Sequence, residues 1–189
     1  MKEQIGALNA LYPSLTTLVG AVVNGRENFI AVAHVGILKH SKNPYLTIAL
    51  AKVHHTNKGI HDHQAFSVCV PSQKMVEITD YCGLVSGKNT DKSQLFDVFY
   101  GETSFAPMIK QCPVCMECTV HDVVDLKSHD IFIGEVKRTH VDPAVLDGKD
   151  IDITKVQPLL FDMASKKYFS LGEPVADCWS VGKALKKKD

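Results

Sequence analysis

Six short segments rich in Val, Ile, Thr and Phe constrain the fold of this chain more than any other feature. They are LTTLVGAVV (15–23), NFIAVAHV (28–35), YLTIALAKV (45–53), AFSVCV (65–70), MECTVHDVVDL (116–126) and DIFIGEVKRTHV (130–141). β-Branched and aromatic side chains fit a pleated, half-buried surface. Turn residues bound most of these runs, as in NGRE (24–27) and KNP (42–44). PLLFD (158–162) and KYFSL (167–171) are weaker strand candidates. Strands of this length and spacing, with few helices between them, predict a mainly β chain closed as an antiparallel β-barrel rather than alternating βαβ units. No G-x-G-x-x-G follows any of these strands, which removes the usual dinucleotide fingerprint.

With 189 residues, 45% of them hydrophobic, the chain can build one sizeable core. No linker, repeat or low-complexity stretch divides it, so residues 1–189 read as one domain. Twenty-one basic residues balance 21 acidic ones, and the one dense run is KALKKKD at the C-terminus, read as a solvated end. That balance offers no broad nucleic-acid surface. The opening MKEQIGALNALYPSL has no uninterrupted apolar core, and no apolar run reaches the roughly 18–20 residues of a membrane helix. The expectation is a soluble cytoplasmic protein.

Two stretches have the chemistry of an anion site. The first is YCGLVSGKNTDK (81–92), in which Gly83 to Lys88 reads G-x-x-x-G-K. A triphosphate loop needs one more residue between its glycines, a Ser or Thr after the lysine, and a strand before it. Asn89 follows the lysine here. The preceding residues 72–82 also read as a helix, with Ser72 as cap, Met75, Ile78, Thr79 and Cys82 on one face, and Gly83 at the end. That excludes a triphosphate loop and leaves either a plain polar turn or another kind of phosphate contact. The second stretch, AKVHHTNKGIHDH (51–63), runs from a strand into a short helix with Thr56 as expected N-cap and Lys52 and Lys58 nearby. A helix N-terminus with basic neighbours attracts anions, and a simply capped helix is the alternative. His54, His55, His61 and His63 do not make a metal set, because His61 and His63 fall on different helix faces.

CPVCMEC (112–118) holds three of the six cysteines and resembles part of a ferredoxin run, but the cysteine and proline that would complete that run do not follow, the chain continuing through His121 and Asp122 instead. A strand through 116–126 would also turn Cys115 and Cys118 to opposite faces. Buried, reduced thiols are the expectation, with no metal.

The ordered set NFIAVAHVGI (28–37), HHTNKGI (54–60), FSVCVP (66–71), DYCGLVSGKNTDK (80–92), CPVCMEC, SHDIFIGEV (128–136) and YFSLGEPVADCWSVGKAL (168–185) resembles the flavin reductase-like family with the FMN-binding split barrel, which includes the flavoredoxins. The resemblance implies a homodimer with one FMN per subunit near the interface. By the same resemblance, Lys52, Thr56 and Asn57 from one turn, and Ser86, Gly87 and Lys92 from the loop, hold the FMN phosphate and ribityl chain, while Asp91 pairs with a cation or caps the next helix. The ring would lie against Ala31, Val32, Ala33 and His34 through backbone N–H groups. The family commonly has Thr, Ser and Trp where this chain has Ala31, Ala33 and His34, so side-chain hydroxyl donors are lost there. His129, preceded by Lys127 and Ser128 instead of Gly and Asp, is the implied shaper of a pocket for NAD(P)H. The implied activity is an FMN-dependent oxidoreductase passing electrons from NAD(P)H to flavin, ferric iron or a protein. The alternatives are a flavoredoxin-like carrier reduced by a redox partner protein and an FMN-binding module without turnover.

Overall fold

Seven antiparallel strands form the main sheet of the computed structural model, which describes residues 1–186. They are β1 (Thr17–Val23), β2 (Arg26–Val32), β3 (Val35–Lys39), β4 (Tyr45–Ala51), β5 (Ala65–Val70), β6 (Val114–Asp125) and β7 (His129–Val141). Their spatial order is β2-β1-β5-β6-β7-β4-β3. The end of the basic run KALKKKD, residues 187–189, lies outside the described residues.

β1 and β5 are buried at every position, because this part of the sheet is covered on both faces. That is why LTTLVGAVV and AFSVCV read as continuous apolar runs instead of alternating ones. One face carries Val19 and Ala21 of β1, Ile48 and Leu50 of β4, Phe66 and Val68 of β5, Cys118 of β6 and Phe132 of β7 in a single cluster. Three strands separate β1 from β4 in the ladder, so they meet in one core only because the sheet curls over on itself. Register shifts between β6 and β7 at Ile133/Gly134 and Val136/Arg138 mark bulges, which bend and twist a sheet. The edge strands β2 and β3 share no hydrogen-bonded ladder among the described residues, so the sheet is curled but not closed.

Helix α1 (His55–His63) packs against this core, burying Ile60. It lies so close to β1 that a Cβ on Gly59 would run into the Val22 carbonyl and come within 2.8 Å of Val23 Cγ2. The outer face of β1, β2, β5 and β6 is covered by helix α2 (Val76–Leu84) and the segment that follows, gathering Leu18, Phe29, Cys69, Cys82, Met108 and Cys115. Cys115 and Cys118 do face opposite sides. Cys112 and Cys115 join Cys69 in the outer cluster, with Cys112 Sγ 4.0 Å from Met75 Sδ, and all three thiols are free and buried.

Several sequence expectations shift. Residues 28–35 are not one strand: β2 stops at Val32, and the chain resumes as β3, which pairs with β4. Lys52 and Val53 lie beyond the end of β4. The helix expected over 72–82 is a 3-10 turn (Gln73–Met75) leading into α2; Ser72 makes no side-chain cap bond, and the helix runs one residue past Gly83. The weak candidates PLLFD and KYFSL do form strands, β8 (Leu160–Asp162) and β9 (Lys167–Phe169), in a small sheet with Ser14–Leu15. Thr56 is not the N-cap of α1. His54 holds that position in extended conformation, and Thr56 is a buried residue of the first turn.

Candidate functional site

The end of β2, the end of β4, the start of α1 and the end of α2 converge on one groove with two chemically different ends. At one end is a slot of about 350 Å³ lined by Ala31, Val32, Ala33 and His34 of the β2–β3 connection, Leu50 of β4, and Gly83 and Leu84 of α2. Phe161, Met163 and Tyr168 of the β8–β9 hairpin form its outer wall. Apart from His34, His54, Asp80 and Thr16, its lining is apolar or aromatic, as suits a flat ring. Tyr168 donates to Asp80 (2.9 Å) at the rim, and burial raises its phenol to about 12, so it stays protonated.

His54, Gly83 and Leu84 also line the next cleft, of about 250 Å³, which reaches Thr56, Ser86, Gly87 and Lys92. Asn28, His55, Gly87 and Lys92 continue into a third space of about 430 Å³ beside Arg26 and Lys88. The groove therefore runs from an apolar slot to a polar, cation-rich end.

Lys92 dominates the polar end. Its side chain comes from a loop, yet the residue is only 2% exposed. The ammonium donates to the carbonyls of Val85 (3.0 Å) and Cys82 (3.2 Å), the orphan acceptors at the end of α2. No carboxylate neutralises it among the described residues, and burial lowers its pKa from the usual lysine value. Burial likewise pushes the Cys82 thiol up to about 11, so it does not act as a counter-ion. An uncompensated buried cation beside a cleft is suited to an anionic ligand.

Thr56 lines the same cleft as Lys92. Its hydroxyl oxygen accepts from Asn28 Nδ2 at 2.7 Å, which leaves its own proton free to donate. Gly87 packs against that same Asn28: a Cβ there would overlap Oδ1 and lie 2.8 Å from Cγ. The first turn of α1 receives no side-chain cap from His54, so its leading N–H groups also lack a side-chain acceptor. Ser86 is exposed, its hydroxyl accepting from the Lys88 N–H at 3.3 Å. Asp91 accepts from Ser93 N (3.0 Å) and Oγ (2.7 Å) at the start of the following 3-10 turn, whose cap position is Lys92.

Two expected residues stand apart from this end. Lys52 is tied to Asp125 (2.7 Å) and Asp130 (3.5 Å), and it lines a neighbouring cleft of about 520 Å³ with Asn57, Lys58, His61 and Lys88. Asn57 reaches the Leu50 and Ala51 carbonyls only at 3.4 and 3.5 Å. Asp130 is almost fully buried; burial raises its pKa, but His61 (2.9 Å) and Lys52 outweigh that and hold it below the usual range. His129 pairs across the sheet with Ala51, bonds Ser128 Oγ through Nδ1 (2.9 Å), and does not line the groove.

The sequence reading missed Asn28, His54 and Thr16. His54 lines the apolar slot, the middle cleft and the neighbouring cleft together, and its pKa is lowered by burial and by His129 and Lys92 nearby. Its position directly before the helix was the available signal. Nothing local marks Asn28, whose partner is 28 residues away.

Comparison with known proteins places this arrangement in context. The flavin reductase like domain model matches residues 9–170. Flavoredoxin from Methanosarcina acetivorans is 38% identical, with a TM-score of 0.93 over 98% of this chain and 100% of that one. Flavoredoxin of Desulfovibrio vulgaris (Miyazaki F) is 33% identical, with a TM-score of 0.88 over 96% of this chain and 100% of that one. An FMN-binding protein from Thermus thermophilus shares the fold at 21% identity, with a TM-score of 0.77 over 94% of this chain and 97% of that one. With the family model spanning most of its length and two flavoredoxins matching it from end to end, the chain belongs to the flavin reductase-like family.

Proposed function

We propose that this protein binds FMN in the groove and works as an FMN-dependent oxidoreductase in electron transfer. The observation that carries the reading is the groove's polarity: an apolar slot at Ala31–His34 leads past His54 to a buried, uncompensated Lys92 ammonium. A riboflavin phosphate has that same sequence of chemistry, with a flat aromatic ring, a polyol chain and a group carrying about −1.5 to −2 charges, as phosphate monoesters do near neutrality. Lys92, the Thr56 hydroxyl and the first-turn N–H groups of α1 would hold the phosphate, with Ser86 and Gly87 closing the loop over it. Backbone N–H groups at 31–34 would face the ring edge. When bound, FMN supplies the one- and two-electron chemistry, while the protein supplies position and exclusion of water.

Two electron donors suit this site. The cleft of about 520 Å³ beside His54, lined by Lys52, Lys58 and Lys88 together with Asp125 and Asp130, has room for a cosubstrate such as NAD(P)H. The carrier reading, in which a redox partner protein reduces the FMN, is the better supported. Two relatives that match from end to end are flavoredoxins, and His129, the residue expected to shape a nicotinamide pocket, bonds Ser128 and does not line the groove. We therefore place the carrier first and the NAD(P)H reductase second. Anaerobic stopped flow separates them: dithionite should bleach the bound flavin at once, and NADH or NADPH should do so slowly or not at all. Fast bleaching by either nucleotide would restore the reductase reading and give His129 a role to test by His129→Ala.

The assembly proposed is a homodimer of single-domain split barrels, in which a second copy covers what one chain leaves open. Its support lies in the terminal segments, where Leu8, Leu11, Val175 and Trp179 are exposed, Trp179 to 92%, as side chains that a second copy would cover.

A further inference from the structure

Among the described residues, three buried side-chain oxygens have no hydrogen-bond partner: Ser14 Oγ, Thr16 Oγ1 and Thr79 Oγ1. Of these residues only Thr16 lines the groove among the described residues, and it is 2% exposed. Its position explains why it is left unpaired. Leu15 pairs with Leu160 in the small sheet, and Thr17 pairs with Val32 in the large one. Thr16 is the residue at which the strand changes sheets. Its N–H donates to the Leu159 carbonyl (2.9 Å), so the backbone is satisfied while the hydroxyl is not. The neighbouring Thr17 hydroxyl, by contrast, donates to the Val32 carbonyl at 2.9 Å. A hydroxyl kept buried without a partner is costly, and this one borders an apolar slot in which Ala31 and Ala33 offer no side-chain donor.

We propose that Thr16 is a flavin-ring positioning residue: its hydroxyl hydrogen-bonds the polar edge of the ring and supplies the side-chain donor that Ala31 and Ala33 lack. The inference rests on the FMN reading above. It predicts opposite signs for one substitution. Thr16→Val removes the orphan hydroxyl while keeping the shape, so the apo protein melts at a higher temperature than wild type. The same variant binds flavin roughly tenfold more weakly, the loss for one neutral hydrogen bond. Because the contact is with the ring, riboflavin loses affinity by the same factor as FMN, and Thr16→Ser restores both. The midpoint potential of the bound FMN also shifts in Thr16→Val and returns in Thr16→Ser.

Titration of apo wild type, Thr16→Val and Thr16→Ser with FMN and riboflavin, followed by flavin fluorescence, tests this. Wild-type affinity for both flavins in Thr16→Val overturns the proposal and leaves the FMN reading intact. Failure of the wild type to bind either flavin overturns the FMN reading and takes the proposal with it.

Discussion

Lys92→Met keeps the long apolar stem and removes the charge, which makes it the sharpest perturbation of the polar end. An ammonium has three N–H bonds. In Lys92 two are directed at the Val85 and Cys82 carbonyls, so one remains for a ligand in the groove. A single charge-assisted hydrogen bond is worth about 1.5–3 kcal/mol, so the variant should bind FMN about 10–150-fold more weakly. Riboflavin lacks the phosphate and should bind the variant as it binds wild type. The ratio of the two affinities thus isolates the phosphate contact from any general disturbance of the loop. The lowered pKa of Lys92 gives a second signature. In the folded apo protein the lysine loses its proton below the unfolded value of 10.5, so the unfolded chain binds more protons there and apo stability rises with pH across that window. A bound phosphate favours the charged form, so FMN affinity falls as pH rises through the same window. In Lys92→Met both slopes should flatten. Isothermal titration of wild type and variant with each flavin at several alkaline pH values measures these effects. Equal weakening of FMN and riboflavin, or no weakening of either, would refute the assignment of Lys92 to the phosphate.

Two further perturbations test other parts of the account. Gly87→Ala forces its new Cβ into the Asn28 amide, which cannot swing to solvent because it is buried and bonded to Thr56. It should cost about 1–3 kcal/mol of overpacking, read as weaker FMN binding, and a variant that binds as wild type would show that the loop is not seated there. Glu117 is fully buried on the outer face of β6, where it accepts from Thr103 N (2.6 Å) and pairs with His140 Nε2 (3.0 Å). Burial raises its pKa, but those partners outweigh it and hold the carboxylate below its usual value of 4.5. Its stabilisation is therefore present above about pH 4.5 and lost as pH falls through the depressed folded value. Glu117→Gln should lower thermal stability at neutral pH by about 1–3 kcal/mol and flatten the acid limb of the melting profile. An unchanged acid limb would show that the pair contributes nothing to acid sensitivity.

The strands were legible because β1 and β5 are packed on both faces, and such burial writes itself into sequence as uninterrupted Val, Leu, Phe and Ala. The hairpin of β8 and β9 was legible only weakly, since LFD and KYF are half-buried or exposed and carry little apolar signal. The N-cap of α1 was misplaced for a tertiary reason. Thr56 has the right chemistry for a cap, but its hydroxyl is engaged by Asn28, and a contact spanning 28 residues has no local signature. The break after Val32 was hidden in the same way: NFIAVAHV keeps strand composition through His34, but β2 follows β1 to Val32 and β3 then pairs with β4. Those breaks in the strands at Thr16 and His34 are what open the slot between the sheets. Lys92 stood out in sequence as a lysine in a Gly-Ser-Asn loop; that it is buried without a carboxylate partner could be read only from the fold.

The most direct test of the central claim is a titration of the apo protein with FMN, backed by identification of the flavin released by acid from protein purified without added cofactor. The account predicts a yellow protein carrying FMN, one per chain, bound more tightly than riboflavin because Lys92 and the start of α1 engage the phosphate. A colourless protein whose apo form binds neither flavin, or one that holds riboflavin as tightly as FMN, would contradict it.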